Sequence, residues 1–160
     1  MFKKILIPID GSDLSTRAAG AGIQLASELK APVVFLHAIA PYVMPYAADV
    51  ALMDDKTQKL VEDSAKEESS QLLANSKLLA ESAGVTSECI HAVHSRPEVL
   101  IDETVKAQGC DLVVIATHGR GAVARLVMGS VTTRLLSICE VPVLIYKDAS
   151  MESNERAEAA

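Results

Sequence analysis

Three short segments of this chain combine glycine with the polar side chains that hold sugars and phosphates in proteins. They are Asp10-Gly11-Ser12, the run Thr117 to Gly121, and Gly129-Ser130-Val131-Thr132, which begins after a gap of nine residues from Gly119. A carboxylate such as Asp10 accepts hydrogen bonds from ribose hydroxyls. Glycine lets phosphate oxygens approach the backbone, and free amides at a helix start favour an anion. The three segments therefore predict a nucleotide site.

Side chains within these segments would complete the phosphate contacts. Ser130 and Thr132 offer hydroxyl donors, and Arg120 offers a positive charge, with Arg125 and Arg134 as weaker candidates. Each feature taken alone also fits an ordinary turn or helix cap. The ligand hypothesis gains weight only if the fold brings the three segments together.

The order of elements predicts how they meet. Short runs rich in Val and Ile indicate buried strands, and longer amphipathic runs indicate helices. Ser12 or Asp13 caps the first helix, Pro97 opens the third, and Gly84 and Gly109 end helices. We predict strands at 4–10, 32–39, 87–93, 111–116 and 141–146, and helices at about 14–30, 51–83, 97–108, 123–128 (short) and 131–138.

This alternation of strands and helices indicates an α/β fold. We predict an open, doubly wound, five-stranded parallel sheet in the order 3-2-1-4-5, with right-handed crossovers and helices on both faces. The direction in which successive strands are added to the sheet then reverses between the first and fourth strands, which makes this the topological switch point. Ligands of such sheets bind in the crevice beyond the carboxyl ends of the strands at this point. Asp10 ends the first of these strands, and Thr117 directly follows the fourth.

The same stretches resemble the universal stress protein family. The resemblance is carried by Lys4-Ile-Leu-Ile-Pro-Ile-Asp-Gly-Ser, Leu36-His-Ala-Ile, Val114-Ile-Ala-Thr-His-Gly-Arg-Gly, Leu126-Val-Met-Gly-Ser-Val-Thr and Val141-Pro-Val-Leu-Ile-Tyr. It covers about residues 2–147. The ATP-binding branch of the family carries Gly, two residues, Gly, nine residues, and Gly-Ser/Thr. Here Gly119 and Gly129-Ser130 match, while Ala116 replaces the first glycine. The loop Ser95-Arg96-Pro97 also departs from a frequent Gly-x-Pro.

The resemblance implies a ligand and a set of contacts. The ligand would be ATP, or AMP or ADP, with Mg²⁺ held mainly by the phosphates. Pro8, Ile9 and Asp10 would flank adenine and ribose, and Ala38 would offer backbone hydrogen bonds to adenine. The remaining predicted nucleotide-binding residues are Ser12, Ala116, His118, Gly119, Arg120, Gly129, Ser130, Val131 and Thr132. It also implies a homodimer through antiparallel pairing of strand 141–146, an apolar run that would otherwise leave an open sheet edge.

The composition disfavours several other classes of partner. The formal net charge of −6 and the 3% aromatic content disfavour nucleic-acid and anionic-membrane partners. Three scattered cysteines and no long apolar leader indicate a reduced, cytoplasmic protein without a metal site. We predict one nucleotide-binding domain at 1–147 and a flexible acidic tail at 148–160.

Three functions remain compatible with the sequence. The favoured one is an ATP-binding stress-response or signalling module that acts through nucleotide-dependent conformation and dimerisation. The second is a nucleotide-independent dimeric interaction protein, for which Ala116 is the main support. The third is a slow ATPase or self-phosphorylating protein with Ser130 or Thr132 as acceptor, although no catalytic residue is identified.

Overall fold

The architecture is that of a parallel sheet covered by helices on both faces. It is taken from a computed structural model that describes residues 1–41, 55–117 and 128–147. The elements are β1 (Ile5–Pro8), α1 (Asp13–Leu29), β2 (Val33–Ile39), α2 (Asp55–Ser82), β3 (Ser87–Val93), α3 (Pro97–Gln108), β4 (Leu112–Ala116), α4 (Ser130–Ile138) and β5 (Val143–Tyr146).

The five strands are parallel and lie in the order β3-β2-β1-β4-β5. This order confirms the prediction and places β1 and β4 side by side at the centre. Strand ends differ from the predicted ones by at most two residues. The predicted helix at 123–128 falls largely outside the described residues, as do residues 51–54 and the predicted tail at 148–160. Among the described residues, no helix has the length and apolar composition to cross a membrane.

The core has two halves because alternate strand residues face opposite sides of the sheet. Ile5, Ile7 and Val114 pack on the side of α1 and α2. Leu6, Val113 and Leu135 pack on the side of α3 and α4. The helix ends follow their predicted signals: Ser12 caps α1 by accepting a hydrogen bond from the Ser15 amide, and Gly109 ends α3 in a left-handed conformation.

The buried face of α2 does not simply follow its apolar residues. Leu60 and Leu79 are large and hydrophobic, yet they are 61% and 46% exposed. The buried positions at this face include Ser69 and Ser76. Small hydroxyl side chains fit there because each finds a close partner: Ser76 donates to the Leu72 carbonyl at 3.1 Å, and Ser69 Oγ lies 2.7 Å from His37 Nδ1.

Candidate functional site

The crevice expected between β1 and β4 lies where their pairing stops, after Leu6 and Val113. Ile5 and Ile9 direct their amides toward β2, bonding the carbonyls of Pro32 at 3.0 Å and Leu36 at 2.8 Å. The direction of the peptide groups alternates along a parallel strand, so the backbone N–H and C=O groups of the even-numbered residues point toward β4. The β1–β4 pairing includes Leu6. The next residue facing β4 is Pro8, which has no amide hydrogen.

A tight polar turn fixes Asp10 where β1 ends. Its Oδ1 accepts hydrogen bonds from the Ser12 amide at 3.0 Å and the Ser12 hydroxyl at 2.7 Å. The Asp10 amide donates to Ser15 Oγ at 3.1 Å. Gly11 makes this turn possible with a φ of +79°, a conformation that other residues rarely adopt. The turn therefore holds the Asp10 carboxylate at the carboxyl end of β1, beside the start of α1.

The start of α4 presents amides without a capping side chain. Its N-cap is Gly129, and Thr133 is the first residue to donate back, to the Gly129 carbonyl at 2.9 Å. The amides of Ser130, Val131 and Thr132 belong to the first turn, which has no intrahelical acceptor. These amides and the helix dipole favour an anion. The Gly129 amide itself donates to the Thr117 carbonyl at 2.8 Å, so the next three amides are the helix donors for a ligand.

Strand β4 holds this helix start in place. The Thr132 hydroxyl donates to the Ala116 carbonyl at 3.0 Å, and Thr132 is only 2% exposed. Thr117 accepts from Gly129 and donates its own amide to the Tyr146 carbonyl at 2.9 Å. The Thr132 hydroxyl is thus directed at the sheet, whereas Ser130 is exposed. Ser130 is therefore the accessible hydroxyl of the two.

Ala38 and Val131 lie on the same side of the sheet near this edge. Both pack partly buried against the cluster between the sheet and α3 and α4. Leu36 accepts from Ile9 of β1, so Ala38, two residues later, also directs its peptide groups to the β1 side. Pro8 is the register partner of Leu36, so the Ala38 backbone lies just beyond the end of β1. The Ala38 backbone groups therefore lie at the same edge of the sheet as the end of β1.

Ala116 occupies its position without strain. Among the described residues, Lys30 is the one non-glycine with a positive φ, so the backbone at Ala116 does not require glycine. Ala116 is 5% exposed. It lies two residues after Val114 and shares its face of the sheet, the one packed against α1. Its methyl group therefore points away from the face that carries Ala38 and Val131.

The structure brings most of the predicted residues to one edge of the sheet. Asp10 reaches this edge through β1, and α4 is held there through β4. Ala38 reaches it through β2. The ten residues described at or beside this edge are Pro8, Ile9, Asp10, Ser12, Ala38, Ala116, Gly129, Ser130, Val131 and Thr132. His118, Gly119, Arg120 and Arg125 lie outside the described residues.

One of the predicted phosphate-binding arginines, Arg134, lies beside a buried carboxylate. Arg134, a weaker phosphate candidate, has its Nη1 3.9 Å from Glu98 Oε1. Within the described part of the chain, no group of three His, Cys, Asp or Glu side chains is arranged to hold a metal. Sequence reasoning missed the bridging role of Thr117 and the burial of Glu98. The sequence does place Glu98 directly after Pro97, in the first turn of a predicted helix, where an acidic side chain is favoured by the helix dipole.

Comparison with known proteins gives the chain its relatives. The model of the universal stress protein family matches residues 1–147. Universal stress protein MJ0531 of Methanocaldococcus jannaschii is 34% identical over 95% of this chain and 86% of its own length. Universal stress protein YxiE of Bacillus subtilis is 30% identical over 92% of this chain and all of its own.

Solved structures share the fold. Protein MJ0577 of Methanocaldococcus jannaschii aligns with a TM-score of 0.73 at 23% identity, covering 93% of this chain and 99% of that one. An Arabidopsis thaliana universal stress protein family member, solved with AMP bound, aligns with a TM-score of 0.65 at 18% identity, covering 92% and 94%. The Archaeoglobus fulgidus universal stress protein solved with dAMP aligns with a TM-score of 0.59 at 17% identity, covering 91% and 98%.

Proposed function

Because this chain belongs to the universal stress protein family, we propose that it binds an adenine nucleotide, ATP or else AMP or ADP, in the crevice between β1 and β4. The observation that carries the proposal is the start of α4. Its first-turn amides lack a capping side chain, and hydrogen bonds from Gly129 to Thr117 and from Thr132 to Ala116 hold them beside the sheet edge. Two structural neighbours have AMP or dAMP bound.

Each part of the nucleotide has a matching group in this arrangement. The Asp10 carboxylate would accept hydrogen bonds from the ribose hydroxyls. Pro8, Ile9 and the Ala38 backbone would flank the adenine. The phosphates would lie against the amides of Ser130 to Thr132, with Gly119 and Arg120 as further contacts. Where ATP is the ligand, Mg²⁺ would be held mainly by the phosphates.

The same contacts offer a route from the ligand to a partner chain. Thr117 bonds the cap of α4 on one side and the end of β5 on the other. Strand β5 pairs with β4 and ends the sheet of this chain, and Leu144 on it is 41% exposed. We propose that β5 pairs with the same strand of a second copy and that nucleotide binding alters this pairing through Thr117. The protein would then act in stress signalling as a nucleotide-dependent dimer.

Substitution of Asp10 by Asn tests the site. Asn keeps an oxygen that accepts from Ser12, so the turn is retained while the charge is lost. Hydrogen bonds to charged groups contribute about 1.5–3 kcal/mol, so Asp10→Asn should weaken ATP binding about 10- to 100-fold. The matched control is Asp13→Asn, which removes an exposed carboxylate from the first turn of α1, three residues after Asp10. Titration calorimetry with ATP–Mg²⁺ and with AMP supplies the measurement.

The competing functions give different results in this experiment. If the wild-type chain binds neither nucleotide and releases none on denaturation, the protein is better explained as a nucleotide-independent interaction module. Equal loss of affinity in both variants would show that Asp10 makes no specific contact with the nucleotide. Phosphate release from ATP that is abolished by Asp10→Ala would instead favour a slow ATPase. A sedimentation measurement with and without nucleotide tests the proposed dimer.

A further inference from the structure

Glu98 is a buried carboxylate at the start of α3, the helix that packs beside α4 of the proposed nucleotide site. It is the second residue of α3, directly after Pro97, and it is only 1% exposed. Burying an ionised carboxylate costs several kcal/mol unless charges and hydrogen bonds compensate for the lost water. A position of this kind therefore needs partners, and the structure supplies them from two different elements.

Both partners are arginines that contact the same oxygen. The Arg96 Nε lies 3.1 Å from Glu98 Oε1, and the Arg134 Nη1 lies 3.9 Å from it. Each arginine side chain is 63% exposed, so the guanidinium groups reach water while the carboxylate lies beneath them. The other oxygen, Oε2, is buried and has no hydrogen-bond partner. The carboxylate is thus held from one side.

The ionised form of Glu98 is the one these contacts favour. Burial alone would raise the pKa of Glu98. The backbone amide of Glu98 itself and the guanidinium groups of Arg96 and Arg134 outweigh burial, so the pKa lies below its ordinary value. The charge pair between α3 and α4 is therefore present at neutral pH.

The location of this pair links it to the phosphate contacts. Arg134 lies one helical turn after Ser130, so the ion pair joins the start of α3 to the first turns of α4, whose leading amides lack a capping side chain. A second ion pair joins α3 to the segment that follows α4. There, Lys106 Nζ lies 4.0 Å from the Glu140 carboxylate, and both side chains are mostly exposed. Of these two pairs, only the one at the start of α4 has a buried carboxylate.

We propose that Glu98 is a positioning residue for the nucleotide site: through Arg134 it sets where the start of α4 lies, and so governs the affinity for nucleotide phosphates. This inference rests on the proposed function. The effect that it predicts on nucleotide affinity is opposite to the effect expected from the charge of Glu98 alone. A negative charge near a phosphate repels it, so a Glu98 that acted by charge alone would weaken binding, and its removal would strengthen it.

The test compares Glu98→Gln with Glu140→Gln in the full-length chain. Each variant removes one negative charge that pairs with a cation, but Glu98 is buried near the start of α4, whereas Glu140 is exposed just beyond its end. Glu98→Gln should raise the Kd for ATP about fivefold or more, a coupling of ordinary size between linked sites. Arg134→Gln should act in the same direction, and the double variant should be no worse than the single ones. Glu140→Gln should change the Kd by less than about twofold.

Hydrogen exchange without nucleotide gives the independent readout. In Glu98→Gln, amides of α4 from Thr133 onward should exchange faster while those of α1 stay unchanged. Unchanged or tighter ATP binding in Glu98→Gln would overturn the inference, and so would faster exchange throughout the protein. If wild-type ATP binding is absent, the proposed function fails. In that case, selective loss of protection in α4 still decides whether Glu98 positions this helix.

Discussion

Substitution of two glycines on α1 offers the sharpest test of how the crevice is built. Gly22 faces the sheet, and a methyl group added there would lie 2.5 Å from Ile7 Cδ1 and 3.4 Å from Val114 Cγ1. Gly20 is exposed on the same helix, and a methyl group added there meets nothing within 4 Å. Ile7 and Val114 lie on β1 and β4, the two strands that flank the crevice. Gly22 therefore allows α1 to pack closely against both.

The expected effects follow from two opposing contributions. Alanine is favoured over glycine inside a helix by about 1 kcal/mol, so Gly20→Ala should stabilise the protein by about that amount. Gly22→Ala gains the same helix preference. It also pushes against the end of the Ile7 side chain, which is fully buried in the core. Overpacking of this kind costs about 1–3 kcal/mol. Gly22→Ala should thus be about 1–3 kcal/mol less stable than Gly20→Ala.

Urea unfolding of the two variants and the wild type measures this difference. An unchanged m value shows that the midpoints report stability alone. In thermal unfolding the same difference corresponds to about 2–4 °C for each kcal/mol in a chain of this size. If Gly22→Ala is as stable as Gly20→Ala, then Ile7 relaxes freely. The close contact of α1 with the β1–β4 pair would then not be required.

Three further predictions follow from single groups. Thr132→Val leaves the Ala116 carbonyl without its 3.0 Å donor and should lower urea stability by about 1–3 kcal/mol, whereas Thr132→Ser should keep the bond. Burial raises the pKa of Asp111, but backbone amides, chiefly those of Lys4 and Lys3, outweigh it and leave the pKa lowered. The unfolded chain is protonated first on acidification, so the stability from Asp111 is lost below about pH 4, and Asp111→Asn should show a shallower acid transition. Native alkylation followed by peptide mass spectrometry should label exposed Cys89 well before Cys110, whose pKa burial raises to about 11.

The fold was predictable from sequence because its signals are local. Short runs such as Ile5 to Pro8 are too apolar and too brief for a helix, and the glycines at 84 and 109 end helices where the pattern requires it. The strict alternation of strands and helices then allows few topologies. The buried face of α2 was less predictable. Hydrophobicity selects Leu60 and Leu79, but the structure buries Ser69 and Ser76, whose hydroxyls find partners that composition does not reveal.

The candidate site divides in the same way. The residue types at Asp10 and Gly129 indicated a ligand because their chemistry is intrinsic. Which groups remain available to that ligand was decided by contacts between distant segments. The Thr132 hydroxyl and the Gly129 amide are taken up by Ala116 and Thr117, more than ten residues earlier in the chain. A hydrogen-bond donor has the same appearance in a sequence whether or not it is already used.

The sequence by itself determined the elements, their order and the chemical character of the crevice, since each follows from periodicity and side-chain type over a few residues. The tertiary structure alone decided three features. Pro8, which has no amide hydrogen, occupies a position that would otherwise donate to β4. The Ala116 methyl points toward α1, and Glu98 is buried beneath two arginines. Those outcomes depend on strand register and on which faces meet. Register and facing are set by the packing of the whole core, which no local pattern encodes.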